Sequence, residues 1–91
     1  MKKFVIERDL PGVGGLSNEE LGGATSKSNE ALAQLPGQVQ WQHSYVAGDK
    51  TFCVYLAEDE DAIRKHAEIS GFPATVITEI KTLIDPTTGQ C

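Results

Sequence analysis

The chain has 91 residues, 40% of them hydrophobic and 23% charged, which is the composition of one small globular domain and excludes a disordered or fibrous chain. Thirteen acidic residues against eight Lys and Arg give a net charge of −5. Because this charge repels phosphate backbones and anionic bilayers at long range, we expect no nucleic acid and no membrane among the partners.

The N-terminal segment does not have the pattern of a targeting signal. MKKFVIERDL has two lysines but only three apolar residues before Glu7, too few for the hydrophobic region of a signal peptide, and no run approaches the length of a membrane span. Cys53 lies in a predicted strand and Cys91 is the last residue, so the two thiols do not suggest a disulfide framework. We therefore expect a cytoplasmic protein with reduced cysteines.

The first half of the chain predicts a strand and then a helix. Residues 2–8 are rich in apolar and β-branched side chains, and the proline and glycines of the following DLPGVGG end the strand. Ser17 and Glu20 have the spacing of a capping box, which predicts a helix over residues 16–35. The residues that form its apolar face are Leu21, Ala24, Ser28, Ala31, Leu32 and Leu35.

The middle of the chain predicts a β-hairpin. Strand-like runs at residues 39–46 and 51–57 flank a short loop that contains Gly48 and Asp49. Both residue types adopt positive φ more readily than most, so we expect positive φ at this turn. The length of the loop, and with it the register of the two strands, is left open by the sequence.

The last part of the chain predicts a second helix and a fourth strand. Asp59 is placed to cap the N-terminus of a helix that ends at Gly71. Residues 75–84 alternate enough to form a half-buried strand, and DPTTGQC turns away from it. We therefore expect one domain over residues 1–85 and a C-terminal tail over residues 86–91.

The element order βαββαβ is the ferredoxin-like α+β arrangement, in which a four-stranded antiparallel sheet carries both helices on one face. The other face of such a sheet is uncovered. An apolar surface as large as one face of a four-stranded sheet is normally buried. We expect a homodimer, because pairing two sheets face to face in a dimeric α/β-barrel-type assembly would cover both surfaces. The space between the sheets would then be the place for chemistry.

Four side chains could bind a metal or move a proton: Glu7, His43, Cys53 and His66. Side chains alternate between the two faces of a strand, and the more apolar sets are expected to face the helices. Those sets are Phe4, Ile6 and Arg8 in the first strand and Phe52, Val54 and Leu56 in the third. Glu7, Cys53 and Tyr55 are then expected on the open face.

Each candidate also has a structural interpretation. His43 is expected on the open face because an imidazole buried against a helix needs a partner, and the alternative is a solvated residue of the hairpin. His66 has the position of a histidine at the border of the core, and Cys53 that of a small buried hydrophobe. No HExxH, CxxC or nucleotide-binding loop is present in the sequence.

Four segments of the chain carry a family resemblance: ERDLPG, WQHSYVAGDKTFCVY, EDEDAIRKHAEISGFPA and IDPTTG. They resemble segments of small bacterial proteins that are described as nickel-binding or nickel-responsive. The resemblance runs along nearly the whole chain and implies a ferredoxin-like fold, a dimer and a divalent metal, with nickel as the named ion. The recurring polar positions of the family fall here on Glu7, His43, Tyr45, Cys53 and His66.

Two functions are consistent with these residues. The first is a divalent-metal-binding homodimer with its site on the open sheet face or at the dimer interface, since nickel accepts imidazole, carboxylate and thiolate ligands. The candidate ligands are Glu7, His43, Cys53 and His66. The alternative is a small enzyme that acts on an organic ligand between the sheets, with His43 or Glu7 as general base and Tyr45 or Tyr55 binding the ligand as proton donor.

Overall fold

A computed structural model describes residues 1–90, apart from the side chain of Gln90, and Cys91 lies outside the described residues. The elements in chain order are the strand β1 (Lys2–Asp9), the helix α1 (Asn18–Ala33), the strands β2 (Val39–Val46) and β3 (Lys50–Ala57), the helix α2 (Glu60–Ser70) and the strand β4 (Val76–Ile80). Short 3-10 helices lie at Val13–Gly15 and Pro86–Gln90.

The four strands form one antiparallel sheet in the order β2-β3-β1-β4. Both helices cover the same face of this sheet, so the predicted ferredoxin-like α+β fold is confirmed. The apolar core between the layers includes Phe4, Ile6, Val39, Tyr55 and Ile63. In the described part of the chain, no helix has the length and apolar character needed to cross a bilayer.

The N-terminus of α1 is capped as the sequence predicts. The Ser17 Oγ accepts a hydrogen bond from the Glu20 backbone N–H, and the Glu20 carboxylate accepts one from the Ser17 N–H, each at 3.1 Å. The inner face of α1 buries Ser28 but leaves Leu21 and Ala24 partly exposed. The cause is that α1 packs mainly against α2 and stands away from the sheet.

Both predicted ends of α2 are confirmed. The Asp59 carboxylate accepts a hydrogen bond from the Ala62 N–H at 2.9 Å. Gly71 has φ +79°, the left-handed conformation that favours glycine and ends the helix. Along α2 the buried residues are Ala62, Ile63, His66 and Ser70, at the spacing of one helical face. His66 is therefore a residue of the core itself, with 1% of its surface exposed.

The β2–β3 hairpin closes through a hydrogen bond from the Ala47 N–H to the Lys50 carbonyl (2.9 Å). Neither Gly48 nor Asp49 has positive φ, so the expected left-handed turn is wrong. The turn is held from outside instead, because the N–H of Gly14 donates to the Gly48 carbonyl at 2.9 Å. A contact from a distant segment thus fixes a turn that its own residues do not preorganise.

A β-bulge in β2 decides which face its aromatic side chains occupy. The register shifts between Trp41 and His43, so that Trp41 pairs with Tyr55 while His43 pairs with Val54. Residues paired across neighbouring strands share a face of the sheet. Trp41 therefore lies beneath the helices and His43 lies on the open face, the position that the sequence favoured for His43.

The predicted faces of β3 are wrong. Its buried residues are Thr51, Cys53, Tyr55 and Ala57, whereas Phe52, Val54 and Leu56 alternate with them and are only half-buried. The register gives the reason: Phe4 and Ile6 face the helices as predicted, and they pair with Tyr55 and Cys53. Cys53 and Tyr55 must therefore share that helix-covered face, which leaves an apolar set on the open face beside Glu7.

The fourth strand is shorter than predicted. β4 ends at Ile80, and residues 81–85 have no regular structure. β4 pairs only with β1, whose Lys3 is the partner of Ile80, so the ladder ends where β1 begins. Leu83 and Ile84 are consequently left 73% and 74% exposed.

Replacement of Gly14 by Ala should destabilise the protein by about 1–3 kcal/mol, the range for overpacking a site that cannot relax. A Cβ at residue 14 would lie 2.5 Å from the Ala47 carbonyl oxygen and 2.9 Å from the Gly48 Cα, both backbone atoms. Gly15→Ala is the matched control, because a Cβ there meets nothing within 4 Å. Urea denaturation measures the free energy of unfolding of both variants. Equal stabilities would contradict the docking of the 3-10 helix Val13–Gly15 on the hairpin turn.

Candidate functional site

A cavity of about 420 Å³ lies between α1 and the sheet. α1 borders it with the short side chains of Ala24, Thr25 and Ser28, so the helix cannot fill the space above the strands. The larger apolar residues around it include Leu10, Val13, Leu16, Leu21, Trp41 and Phe72. We call this space the helix-side cavity; its volume and its largely apolar walls are typical of a small-molecule site.

Arg8 brings a buried positive charge to the helix-side cavity. Its side chain lines the cavity, and only 3% of the residue is exposed. Nη1 donates to the carbonyl oxygens of Pro73 (2.8 Å) and Phe72 (3.4 Å), and Nη2 donates to the Tyr55 hydroxyl (3.5 Å). None of the ion pairs formed by the described residues includes Arg8. Since a guanidinium does not deprotonate in proteins, this charge is buried without a counter-ion.

Tyr55 lies beneath the helices and contacts Arg8, Trp41 and His66. Its ring stacks with that of Trp41 at 6.3 Å and lies 5.3 Å from that of His66. Burial raises the pKa of the Tyr55 hydroxyl, and the opposing influence of Arg8 does not cancel that effect. Tyr55 is therefore a neutral hydroxyl at physiological pH and can donate a hydrogen bond.

His66 lies behind Tyr55 in the core. A hydrogen bond of 3.1 Å joins its Nε2 to the Ser28 Oγ, while its Nδ1 is buried without a partner among the described residues. Burial lowers the pKa of His66, and the positive charge of Arg8 lowers it further, whereas the contact with Ser28 acts in the opposite direction. The imidazole is therefore neutral in the folded protein at pH 7.

This neutral histidine should make the protein less stable in mild acid. As the pH falls below about 6.5, the unfolded chain binds a proton at His66 that the folded chain does not, so the free energy of unfolding decreases. His66→Gln can still reach Ser28 but has no imidazole to titrate. Between pH 7.5 and 5.0, its free energy of unfolding should therefore fall by about 1 kcal/mol less than that of the native protein. Urea denaturation at both pH values measures it. Identical pH dependence in the two proteins would contradict the lowered pKa of His66.

The open face carries a second, smaller group of polar side chains. The Glu7 carboxylate lies 3.6 Å from the Lys50 Nζ, which is also 3.8 Å from the Asp9 carboxylate. Glu7 therefore has the cation that a carboxylate on a central strand needs. His43 is exposed, and its ring meets that of Tyr45 edge-on at 5.2 Å. Both rings border a shallow depression of about 250 Å³.

The predicted site residues divide between the two faces of the sheet. Glu7, His43 and Tyr45 lie on the open face, whereas Cys53, Tyr55 and His66 lie beneath the helices. The Cys53 thiol is buried and donates to the Thr51 hydroxyl at 3.5 Å. Within residues 1–90, no three His, Cys, Asp or Glu side chains are close enough to hold a metal ion. One chain thus brings together neither all four candidate ligands nor any three of them.

The sequence did not predict Arg8, Trp41 or Ser28 as site residues, although two other residues of the helix-side cavity, Cys53 and Tyr55, were predicted. Arg8 had a signal, because alternation placed it on the same face as Phe4 and Ile6, and a charged residue in an apolar buried set is unusual. Trp41 had no such signal, because the face of the sheet on which it lies depends on the β-bulge in β2. Ser28 was predicted on the inner face of α1, but its contact with His66 depends on how the helices pack.

The comparison with protein families covers nearly the whole fold. The family described as nickel responsive protein SCO4226-like matches residues 4–80, which include all of α1, β2, β3, α2 and β4 and most of β1. The chain belongs to the SCO4226-like family. The resemblance inferred from four sequence segments is therefore confirmed, and the family description connects these proteins with nickel.

A solved structure has the same fold. The crystal structure of SCO4226 from Streptomyces coelicolor A3(2) matches with a TM-score of 0.74 and 15% sequence identity, over 90% of this chain and 99% of that one. At this identity the likeness supports the fold. A comparison with curated proteins gives no match.

Proposed function

We propose that the protein is a homodimer that binds a divalent metal ion, nickel in the first place, between the open faces of two sheets. The arrangement of side chains on the open face carries the proposal, because it is self-complementary about a two-fold axis. The description of the SCO4226-like family as nickel responsive supports the choice of metal. We also place the protein in the cytoplasm, where the free Cys53 thiol would stay reduced.

Three rows of side chains run across the strands on the open face. The central row is His43, Val54, Val5 and Thr78; one flanking row is Tyr45, Phe52, Glu7 and Val76, and the other is Gln40, Leu56, Lys3 and Ile80. The apolar members are half-buried or exposed. Covering them with a second sheet would stabilise the assembly by about 25 cal/mol for each Å² of apolar surface removed from water.

Consider a two-fold axis that lies between the two sheets and runs along the central row. The central row then faces its own copy, and each flanking row faces the other flanking row of the partner subunit. The axis would reverse the strand direction, so Lys3 would lie opposite Glu7 of the partner subunit and Leu56 opposite Phe52 of the partner subunit. Unlike charges and apolar side chains would then face each other. A residue on the axis meets its own copy, so His43 would lie opposite His43 of the partner subunit.

A pair of imidazoles on this axis suits nickel. Imidazole is a good ligand for Ni²⁺, and the His43 side chain is exposed and makes no hydrogen bond within the described residues. Glu7 is less suited to the same ion because Lys50 already neutralises its carboxylate. Strand geometry also puts the Cα atoms of Glu7 and His43 about 12 Å apart, with β3 between them.

An enzyme acting between the sheets has less support. Tyr55, one of its two predicted proton donors, lies beneath the helices and cannot reach a ligand on the open face. His43 and Tyr45 remain there, but Glu7 is engaged by Lys50. The open face therefore offers metal ligands more readily than an acid–base pair.

Nickel titration of the protein, purified without an affinity tag, tests the proposal. We expect one Ni²⁺ for two chains by calorimetry, and a species of twice 9.8 kDa by light scattering. His43→Ala should abolish nickel binding, because it removes both ligands of the shared site at once.

The other histidine provides the matched control. His66→Gln removes an imidazole that is buried beneath the helices, so it should bind nickel with unchanged stoichiometry. Nickel binding that persists in His43→Ala, or that disappears in His66→Gln while the protein stays folded, would contradict the proposed site. So would a monomer that binds one ion per chain.

A further inference from the structure

The helix-side cavity contains an unusual combination of a buried charge and apolar walls. Arg8 has five N–H donors, and its hydrogen bonds with the described residues come from Nη1 and Nη2. The Nε–H has no partner there. Nε and Nη2 share one edge of the guanidinium, an edge that can bind both oxygens of a carboxylate. An unmatched charge this deep is costly unless an anion joins it.

The groups beside Arg8 suit a planar anion with a single charge. Tyr55 stays protonated, so its hydroxyl can donate to an anion while it accepts from Arg8. No lysine lines the cavity, and Arg8 is its only charged residue among those described. One guanidinium balances a carboxylate but leaves a phosphate dianion partly uncompensated.

The remaining walls suit an apolar body. Trp41, Leu21 and Phe72 line the cavity, together with the end of the β1–α1 connection. The volume of about 420 Å³ leaves room for a chain of several carbon atoms beyond the charged group. Neither the nickel hypothesis nor the open face uses any of these residues, since the sheet separates the two sites.

We propose that the helix-side cavity binds an amphiphilic organic monocarboxylate, with its carboxylate on Arg8 and Tyr55 and its apolar part between Trp41 and α1. The site is independent of the proposed metal site and requires no second copy of the chain. The bound carboxylate would be the counter-ion that Arg8 lacks. The space needed by the ligand would explain why α1 presents short side chains toward the sheet.

Titration with decanoate, below the concentration at which it forms micelles, tests the proposal. Trp41 is the only tryptophan of the chain and lines the cavity, so its fluorescence reports on occupancy directly. We expect a saturable change with decanoate. Arg8→Gln should weaken decanoate binding by about tenfold or more, the effect of losing hydrogen bonds to a charged group. Binding of 1-decanol, which has no charge, should be the same in both proteins within about twofold.

A second variant keeps the test decisive if Arg8→Gln alters the fold. Ala24→Leu leaves Arg8 in place and fills part of the cavity from α1, so it should weaken decanoate and decanol alike. Absence of a saturable change in the native protein, equal decanoate affinity in native and Arg8→Gln proteins, or undiminished binding by Ala24→Leu would overturn the proposal. His43→Ala should bind decanoate normally, so failure of the metal site and failure of this cavity are distinguishable.

Discussion

Replacement of Ile63 by Ala is expected to lower the free energy of unfolding by about 2–5 kcal/mol, the range for large-to-small substitutions in a packed core. Ile63 belongs to the buried face of α2, has 1% of its surface exposed and joins the apolar cluster between the helices and the sheet. A domain of this size has a total stability of about 5–15 kcal/mol. The variant should therefore unfold at a much lower urea concentration.

The same helix supplies the control for this prediction. Ile69 is 40% exposed, so Ile69→Ala removes the same atoms from a position that leaves no enclosed cavity. We expect it to cost less than about 1 kcal/mol. Urea denaturation followed by circular dichroism, at one protein concentration, measures both variants. Similar losses at the two positions would mean that α2 does not dock through the face that contains Ile63.

Replacement of Val5 by Lys is expected to convert the proposed dimer into a monomer. Val5 lies in the central row of the open face, where it would meet Val5 of the partner subunit on the two-fold axis. Two ammonium groups would then oppose each other in an apolar interface, without counter-ions, at a cost of several kcal/mol. A loss of about 3 kcal/mol raises the dissociation constant of the dimer by about two orders of magnitude.

Sedimentation equilibrium over a range of protein concentrations measures this change. Asn29→Lys adds the same charge to the exposed surface of α1 and should leave the assembly unchanged. The Val5→Lys monomer should also lose nickel binding, because each copy then has one His43 only, while its response to decanoate stays normal. A Val5→Lys protein that dimerises as well as the native chain would mean that the open faces are not the interface.

Much of the fold follows from local sequence signals. The capping box at Ser17 and Glu20, the cap at Asp59 and the glycine at residue 71 define helix ends through interactions between residues close in sequence. Alternation in β1 also sufficed to place Phe4, Ile6 and Arg8 beneath the helices. Such signals are readable because the physical interaction involves neighbours along the chain.

The faces of β2 and β3 depended on tertiary structure. The third strand is apolar on both sides, so hydrophobicity could not decide between Phe52, Val54 and Leu56 and the set that includes Cys53 and Tyr55. Pairing with β1 decided it, since Ile6 and Cys53 must share a face. In the same way, only the bulge after Trp41 separates that residue from His43.

The candidate sites show the same contrast between what the local sequence predicts and what the tertiary structure decides. The residue types alone predicted that Glu7, His43, Cys53 and His66 could carry chemistry, but the sheet places the first two on one side and the last two on the other. The uncompensated charge of Arg8 became visible only in three dimensions, because a missing counter-ion is a property of everything packed around the guanidinium. The sequence by itself thus determined the elements and their order, and long-range strand register decided which side chains meet.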